Sequence, residues 1–312
     1  MALLQVENLT KTYKEVSAVK EINFELKEGE ILGFLGPNGA GKSTTISMIS
    51  SLLKPSNGDI LLNGKSVLKD PQPLRKLLGV VPQDIALYPD LTGYENLLFF
   101  GKIYGLRKTE LKTRVEEILE VIGLKERAHE RLETYSGGMK RRINIGAALL
   151  HEPKILIMDE PTVGIDPQSR NHILSTVKDL NAKGMTILYT SHYMEEVELL
   201  CDRIYIMDHG SIIASGTKQQ LKALVADDNT LTLIVDLAVD QFTKQLEQHP
   251  QVKAVLCEEK TYTVVLKKYE SSILKEIISI GEASETTIET IQMKTPSLED
   301  VFLQLTGRGL RN

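Results

Sequence analysis

The most constraining feature of this 312-residue chain is the run Gly36, Pro37, Asn38, Gly39, Ala40, Gly41, Lys42 and Ser43, which fits G-x-x-x-x-G-K-[ST] in full. It follows an apolar strand pattern at residues 31–35 and precedes a helical pattern at residues 44–53 that opens with Thr44. Glycines at these positions let successive backbone N–H groups turn inward, and the helix N-terminus adds its positive dipole, so the segment is a cradle for phosphate oxygens. Lys42 supplies a charge between β- and γ-phosphates, and Ser43 is placed to hold Mg²⁺. A nucleoside triphosphate with Mg²⁺ is therefore the expected ligand. What the triphosphate is used for has to come from other residues.

Two further apolar runs, residues 155–158 and 185–190, read as buried strands ending in polar turns. With 31–35 they indicate an α/β domain on a largely parallel sheet, whose ligands sit at strand ends. The first run delivers Asp159 and Glu160, adjacent carboxylates suited to metal coordination and water activation beside a phosphate site. Asp159 is expected to reach Mg²⁺ through water, and Glu160 to orient the attacking water or accept its proton. Without a phosphate loop in the same chain, the pair would read as a solvated acidic turn. The second run leads to His192, whose ring N–H is placed to touch the γ-phosphate.

At this length a main domain with a smaller one is expected. Between residues 84 and 152 the pattern turns helical, with Leu111, Val115, Ile118, Leu119 and Ile122 on one face of a helix at 110–122. After residue 217 come a helical stretch at 218–226 and a polar turn at Asp227, Asp228 and Asn229. Residues 231–312 then read strand 231–235, helix 239–249, strands 252–258 and 261–266, helix 271–280 and strand 287–293, with a closing helix near Ser297. This β-α-β-β-α-β order predicts a small α+β, ferredoxin-like domain. Bracing of an assembly is its expected role.

Composition narrows the partners. A chain 42% apolar and 25% charged is ordinary for a globular protein and excludes long disorder. A net charge of −5 gives no global positive field to recruit nucleic acid, which is not expected as a partner. Lys140, Arg141 and Arg142 read as a solvated helix face. Cys201 and Cys257 are too few and too far apart for a disulfide framework or a metal site, which fits a reducing cytoplasm. No run approaches the roughly 18 apolar residues of a membrane-spanning helix, and the opening residues have no signal-peptide core, so the chain is expected to stay inside the cell.

Tyr135, Ser136, Gly137, Gly138 and Met139 open another helix, with Ser136 as its cap. In order, the phosphate loop, Gln83, this Tyr-Ser-Gly-Gly-Met segment, residues 155–160, Val163-Gly164-Ile165-Asp166 and His192 resemble the Walker A, Q-loop, signature, Walker B, D-loop and switch histidine of ABC ATPase subunits. Tyr13 is similar to the aromatic A-loop residue that stacks on adenine. Met139 stands where the family's signature more often has glutamine, and the D-loop wording also departs. Both variants, and residues 295–302, resemble the branch serving drug, antibiotic and sodium exporters with separate membrane subunits.

The resemblance implies a P-loop NTPase core at residues 1–217 with an inserted helical subdomain. It implies that two cassettes, as a homodimer or with a related cassette, clamp ATP head to tail. Ser136, Gly137 and Gly138 then act on the partner's ATP, Asp166 lies in the D-loop, and Gln83 senses Mg²⁺ or the γ-phosphate. ATP hydrolysis would power export of an antibiotic, drug or lipid-like compound, with sodium as second cargo, through a membrane permease at the inner face of the cell membrane. Leu87, Tyr88, Leu97, Leu98 and Phe99 are the expected groove for a short permease helix. The rival is a soluble ABC ATPase acting on ribosomes or DNA, whose tandem cassettes, long heptad coiled coil or zinc cysteines are not apparent in this sequence.

Overall fold

In the computed structural model, which describes residues 2–224, 229–267, 270, 272–294 and 297–307, the chain falls into two compact units divided between Lys218 and Gln219. The first opens with the antiparallel pair β1 (Ala2–Tyr13) and β2 (Val16–Lys27). β3 (Ile31–Leu35) then feeds α1 (Lys42–Ile49). β4 (Asn57–Leu62) and β5 (Lys65–Ser66) rejoin the first pair in a four-stranded sheet ordered β2-β1-β4-β5. α2 (Gln72–Leu77) leads into β6 (Leu78–Val81), and the helices α3 (Gly93–Ile103), α4 (Lys108–Val121) and α5 (Gly137–Leu149) follow. β7 (Ile155–Asp159), α6 (Pro167–Ala182), β8 (Thr186–Ser191), α7 (Met194–Leu200), β9 (Arg203–Asp208) and β10 (Ser211–Thr217) complete the unit.

The second sheet runs β10-β9-β3-β8-β7-β6, parallel throughout except for the edge strand β10. Every residue of β3, β7 and β8 is buried, the pattern of strands covered on both faces. Phe24 of β2 packs on Phe34 of β3 and Tyr205 of β9, with ring centroids 5.1 and 5.8 Å apart, joining the two sheets in one core. Because β8 lies between β3 and β7, Leu35 pairs with Ser191 and Asp159 with Thr190 at one sheet end. Chain segments far apart in sequence thus emerge side by side there.

The helices α3, α4 and α5 bury Leu97, Leu111, Val115, Ile118, Leu119 and Ile143 among themselves. Asn96, fully buried, fixes the approach to α3: its amide donates to Tyr88 O and Thr92 O while its Oδ1 accepts from Tyr88 N. Thr92 and Glu95 form a reciprocal capping box at the start of α3.

The periodicity-based boundaries shift by a few residues. α1 stops at Ile49 rather than 53 because Ser51 takes a left-handed φ of 56° and the next amides turn back to Ser47 O. α4 covers 108–121 rather than 110–122, and β8 ends one residue later than residues 185–190 suggest. Lys140, Arg141 and Arg142 are not a solvated face. Arg141 is buried and Arg142 half-buried, because the guanidinium groups bond backbone carbonyls of neighbouring segments.

α8 (Lys218–Ala223) crosses the division. The second unit continues with β11 (Asn229–Val235), α9 (Asp240–Gln248), β12 (Val252–Glu258), β13 (Thr261–Leu266), α10 (Ile273–Ala283), β14 (Ile288–Lys294) and α11 (Leu298–Thr306). Its antiparallel sheet, ordered β12-β13-β11-β14, has the ferredoxin-like arrangement. Leu231, Leu233, Tyr262 and Val264 face Phe242 and Leu246 of α9 and Ile273 and Ile277 of α10. Asn229 begins β11, paired with Leu266, rather than lying in a turn. Asp227, Asp228, Ser271, Thr295 and Pro296 lie outside the described residues. Thr92→Ala removes both bonds made by the threonine hydroxyl and is expected to cost about 1 kcal/mol of stability. A chemical-denaturation midpoint unchanged from wild type would show that the cap does not hold α3.

Candidate functional site

The chain leaving β3 turns where side chains have no room. At Gly36 a Cβ would lie 2.4 Å from Met207 O, and at Gly41 2.6 Å from Ala18 O. Gly41 also has φ +105°, in the left-handed region, and is the N-cap of α1 without any side-chain cap bond. The first N–H groups of α1 therefore remain available as donors. Residues 37–44 line a cavity of about 430 Å³ together with Ala18, Gln83, Glu160, Val163 and His192.

Lys42 is 5% exposed, and its ammonium donates to Gly36 O at 2.7 Å and lies 3.4 Å from Glu160 Oε1. Burial pushes its pKa below that of an ordinary lysine, while attraction from Glu160 and Asp159 opposes the shift. The hydroxyl-bearing Ser43, one residue on, is exposed.

Glu160 follows β7 with φ 46°, a strained conformation for a non-glycine residue. Its N–H donates to Thr190 Oγ1 at 3.0 Å, and the same hydroxyl donates to Asp159 Oδ1 at 2.7 Å. One threonine thereby holds the Asp159 carboxylate and the Glu160 backbone. Gln83 Nε2 donates to Glu160 Oε2 at 3.3 Å, and His192 Nδ1 stands 3.3 Å from the same oxygen without hydrogen-bond geometry. Glu160, Gln83, His192 and Lys42 thus converge. Asp159 is buried just behind them and does not line the cavity.

The other predicted residues lie elsewhere. Tyr13 is 47% exposed, carries the Lys11 ammonium 5.3 Å above its ring and does not line the cavity. Ser136 caps α5 by accepting from Met139 N at 3.2 Å, and it, Gly137 and Gly138 are also outside the cavity. A Cβ at Gly138 would fall 2.1 Å from Ser169 Oγ and 3.4 Å from Asp166 Oδ2, so the signature packs on the D-loop. Asp166 caps α6 by accepting from Ser169 N, and that N–H holds its carboxyl below the usual range.

Sequence reasoning missed Thr190, which looks like one more polar residue at a strand end, and Arg141. The Arg141 guanidinium donates to Pro82 O at 2.7 Å and Gln83 O at 2.6 Å, tying the signature helix to the Gln83 backbone. A basic residue beside a signature gives no sign of a partner some sixty residues away.

A loop whose cradle excludes Cβ atoms, a buried ammonium and a carboxylate next to an exposed serine suits a triphosphate and its metal. Among the described residues no group of three or more His, Cys, Asp or Glu could hold a metal by itself.

Comparison with known proteins agrees. The model of the ABC transporter family matches residues 19–163. The linearmycin resistance ATP-binding protein LnrL of Bacillus subtilis is 50% identical over 311 residues, covering 99% of this chain and 100% of that protein. The doxorubicin resistance ATP-binding protein DrrA of Mycobacterium tuberculosis is 34% identical over 310 residues, covering 96% and 92%. Among solved structures, a dimeric ATP-binding cassette in a post-hydrolysis state with ADP and Pi superposes with TM-score 0.63 at 29% identity, over 69% of this chain and 98% of that one. This chain belongs to the ABC transporter family, as an ATP-binding subunit. It binds ATP and hydrolyses it. Thr190→Val preserves shape but deletes the shared hydroxyl, and turnover is expected to fall about 10- to 100-fold. A steady-state ATPase rate equal to wild type would show that the hydroxyl does not set the carboxylates.

Proposed function

We propose that two copies of this chain close head to tail on two Mg-ATP molecules and thereby drive export of an antibiotic, drug or lipid-like compound through a separate membrane permease. The observation that carries this reading is the separation of the signature from the phosphate cavity. The α5 N-terminus, with Ser136, Gly137 and Gly138, does not line the cavity that Lys42 and Glu160 of the same chain line. The N–H donors of that terminus serve the ATP of a second cassette, and each chain supplies half of each site.

Within a site, residues 36–44 cradle the phosphates, Lys42 leaves Gly36 O and Glu160 to bind β- and γ-oxygens, and Tyr13 stacks on adenine. Ser43, Gln83 and Asp159 would hold Mg²⁺, which neutralises charge on the transferring phosphoryl group. Glu160, released from Lys42, orients the attacking water and accepts its proton, while His192 contacts the γ-phosphate. Asp166 lines the dimer seam beside Gly138.

The permease docks on the face of α3, placing the chain at the cytoplasmic side of the membrane. Of the five residues expected to form a groove, Leu97 is fully buried core, Leu87 and Leu98 are half-buried, and Tyr88 and Phe99 are exposed. The last two rings meet edge to face with centroids 4.8 Å apart, an exposed aromatic pair suited to a helix-in-groove contact. Likeness to proteins named for linearmycin and doxorubicin resistance supports the cargo class.

Tagged Glu160→Gln chain, trapped with ATP in its own host and purified from solubilised membranes, is expected to dimerise, barely turn over and carry a polytopic membrane protein with it. Ribosomal proteins or DNA-repair factors in its place would overturn the transport reading. Tyr88→Asp with Phe99→Asp is expected to abolish that co-purification while the ATPase rate stays within about twofold, as for surface changes remote from the site. Retained permease would remove α3 as the docking face.

A further inference from the structure

Behind the phosphate cavity lies a carboxylate that none of the roles above employs. Glu196, on α7, is 0% exposed. Its Oε2 accepts from Thr162 Oγ1 at 2.8 Å, Tyr189 OH at 2.9 Å and Ser191 Oγ at 2.9 Å, and its Oε1 accepts from Arg170 Nε at 2.6 Å. A fully buried charge persists only when its lone pairs are occupied in this way. Burial and the adjacent Glu196 push the Tyr189 phenol well above its ordinary value, which keeps it a donor.

The four donors are not a random set. Thr162 lies two residues after Glu160, and Ser191 immediately precedes His192. Arg170 sits on α6, whose cap is Asp166. Ser191 Oγ also accepts from Tyr193 N at 2.9 Å, and the Tyr193 ring centroid lies 4.2 Å from that of His192 and 5.0 Å from the Arg170 guanidinium. One carboxylate therefore joins the segments that carry Glu160, His192 and Asp166, and through Arg170 and Tyr193 it also sets the face on which the histidine ring rests.

We propose that Glu196 is a positioning residue for hydrolysis that acts through His192: by tying Thr162, Arg170 and Ser191 together it holds the histidine ring against Glu160. It does not touch nucleotide. Its loss therefore affects the rate of the hydrolytic step rather than the binding of ATP to residues 36–44. This inference rests on the assignment of His192 to the γ-phosphate.

Glu196→Gln keeps the side-chain shape but removes the charge and turns an N–H₂ toward groups that are themselves donors. In the full chain it is expected to lower kcat for ATP about 10- to 100-fold. Affinity for ATP, read by fluorescent-nucleotide titration, should stay within about threefold, since a group remote from ligand acts additively with it. In a His192→Ala background the same change should cost less than about threefold, because Glu196 acts through a ring no longer present. Ser191→Ala, which removes one donor and leaves the carboxylate in place, runs the same cycle if Glu196→Gln does not fold.

An unchanged kcat, a full multiplicative loss in the His192→Ala background, or ATP affinity falling in step with kcat would each overturn the proposal. His192→Ala alone separates the two claims. If it leaves turnover intact, the histidine assignment fails first. If it lowers turnover and neither Glu196→Gln nor Ser191→Ala does, the fault lies with Glu196.

Discussion

The contact on which the site depends is the approach of the Lys42 ammonium to the Glu160 carboxylate, 3.4 Å apart and both almost fully buried. One charge sits after β3 and the other after β7, and β8 between them brings those strand ends side by side at one end of the sheet. In a low-dielectric setting an unpaired charge is costly, and the attraction of Glu160 opposes the lowering that burial imposes on the Lys42 ammonium. The pair also sets the starting condition for binding. In the proposed mechanism, phosphate oxygens would compete with Glu160 for this one ammonium, which would link occupancy of the loop to release of the carboxylate.

Around this pair the fold uses short, strained or crowded backbone where a side chain would interfere. Gly36 and Gly41 admit no Cβ, and Glu160 itself accepts a left-handed φ, held by Thr190. Strain of this kind persists where surrounding bonds over-determine it. The polar layer beneath, with Thr190 under the carboxylates and Glu196 under the following segments, supplies that determination through hydroxyls rather than through apolar packing alone.

The sequence was most legible where a local rule and the tertiary demand coincide. Uninterrupted apolar runs at β3, β7 and β8 are what a doubly covered parallel strand requires, and the glycine-lysine-serine loop has few other uses. The β-α-β-β-α-β order of the second unit was likewise readable, with Glu258, Glu259 and Lys260 read as the hairpin turn between its middle strands, although Glu258 ends β12 paired with Thr261. Element ends were less so. Where α1 stops depends on a single backbone turn at Ser51. Long-range polar contacts left no local trace: Arg141 beside the signature reads as surface charge until the backbone of Pro82 and Gln83 is seen within its reach. Glu196 reads as one more acid in a helix, since nothing local shows that Thr162 and Arg170 close over it.

The central claim is that each chain supplies only half of a working site, and complementation tests it most directly. Lys42→Met disables the phosphate loop and Ser136→Arg disables the signature, so each variant alone should be inactive. In an equal mixture, random pairing gives half heterodimers with one intact site each, and the account predicts recovery of roughly a quarter of wild-type ATPase activity. No recovery in a mixture demonstrated to contain heterodimers would contradict it.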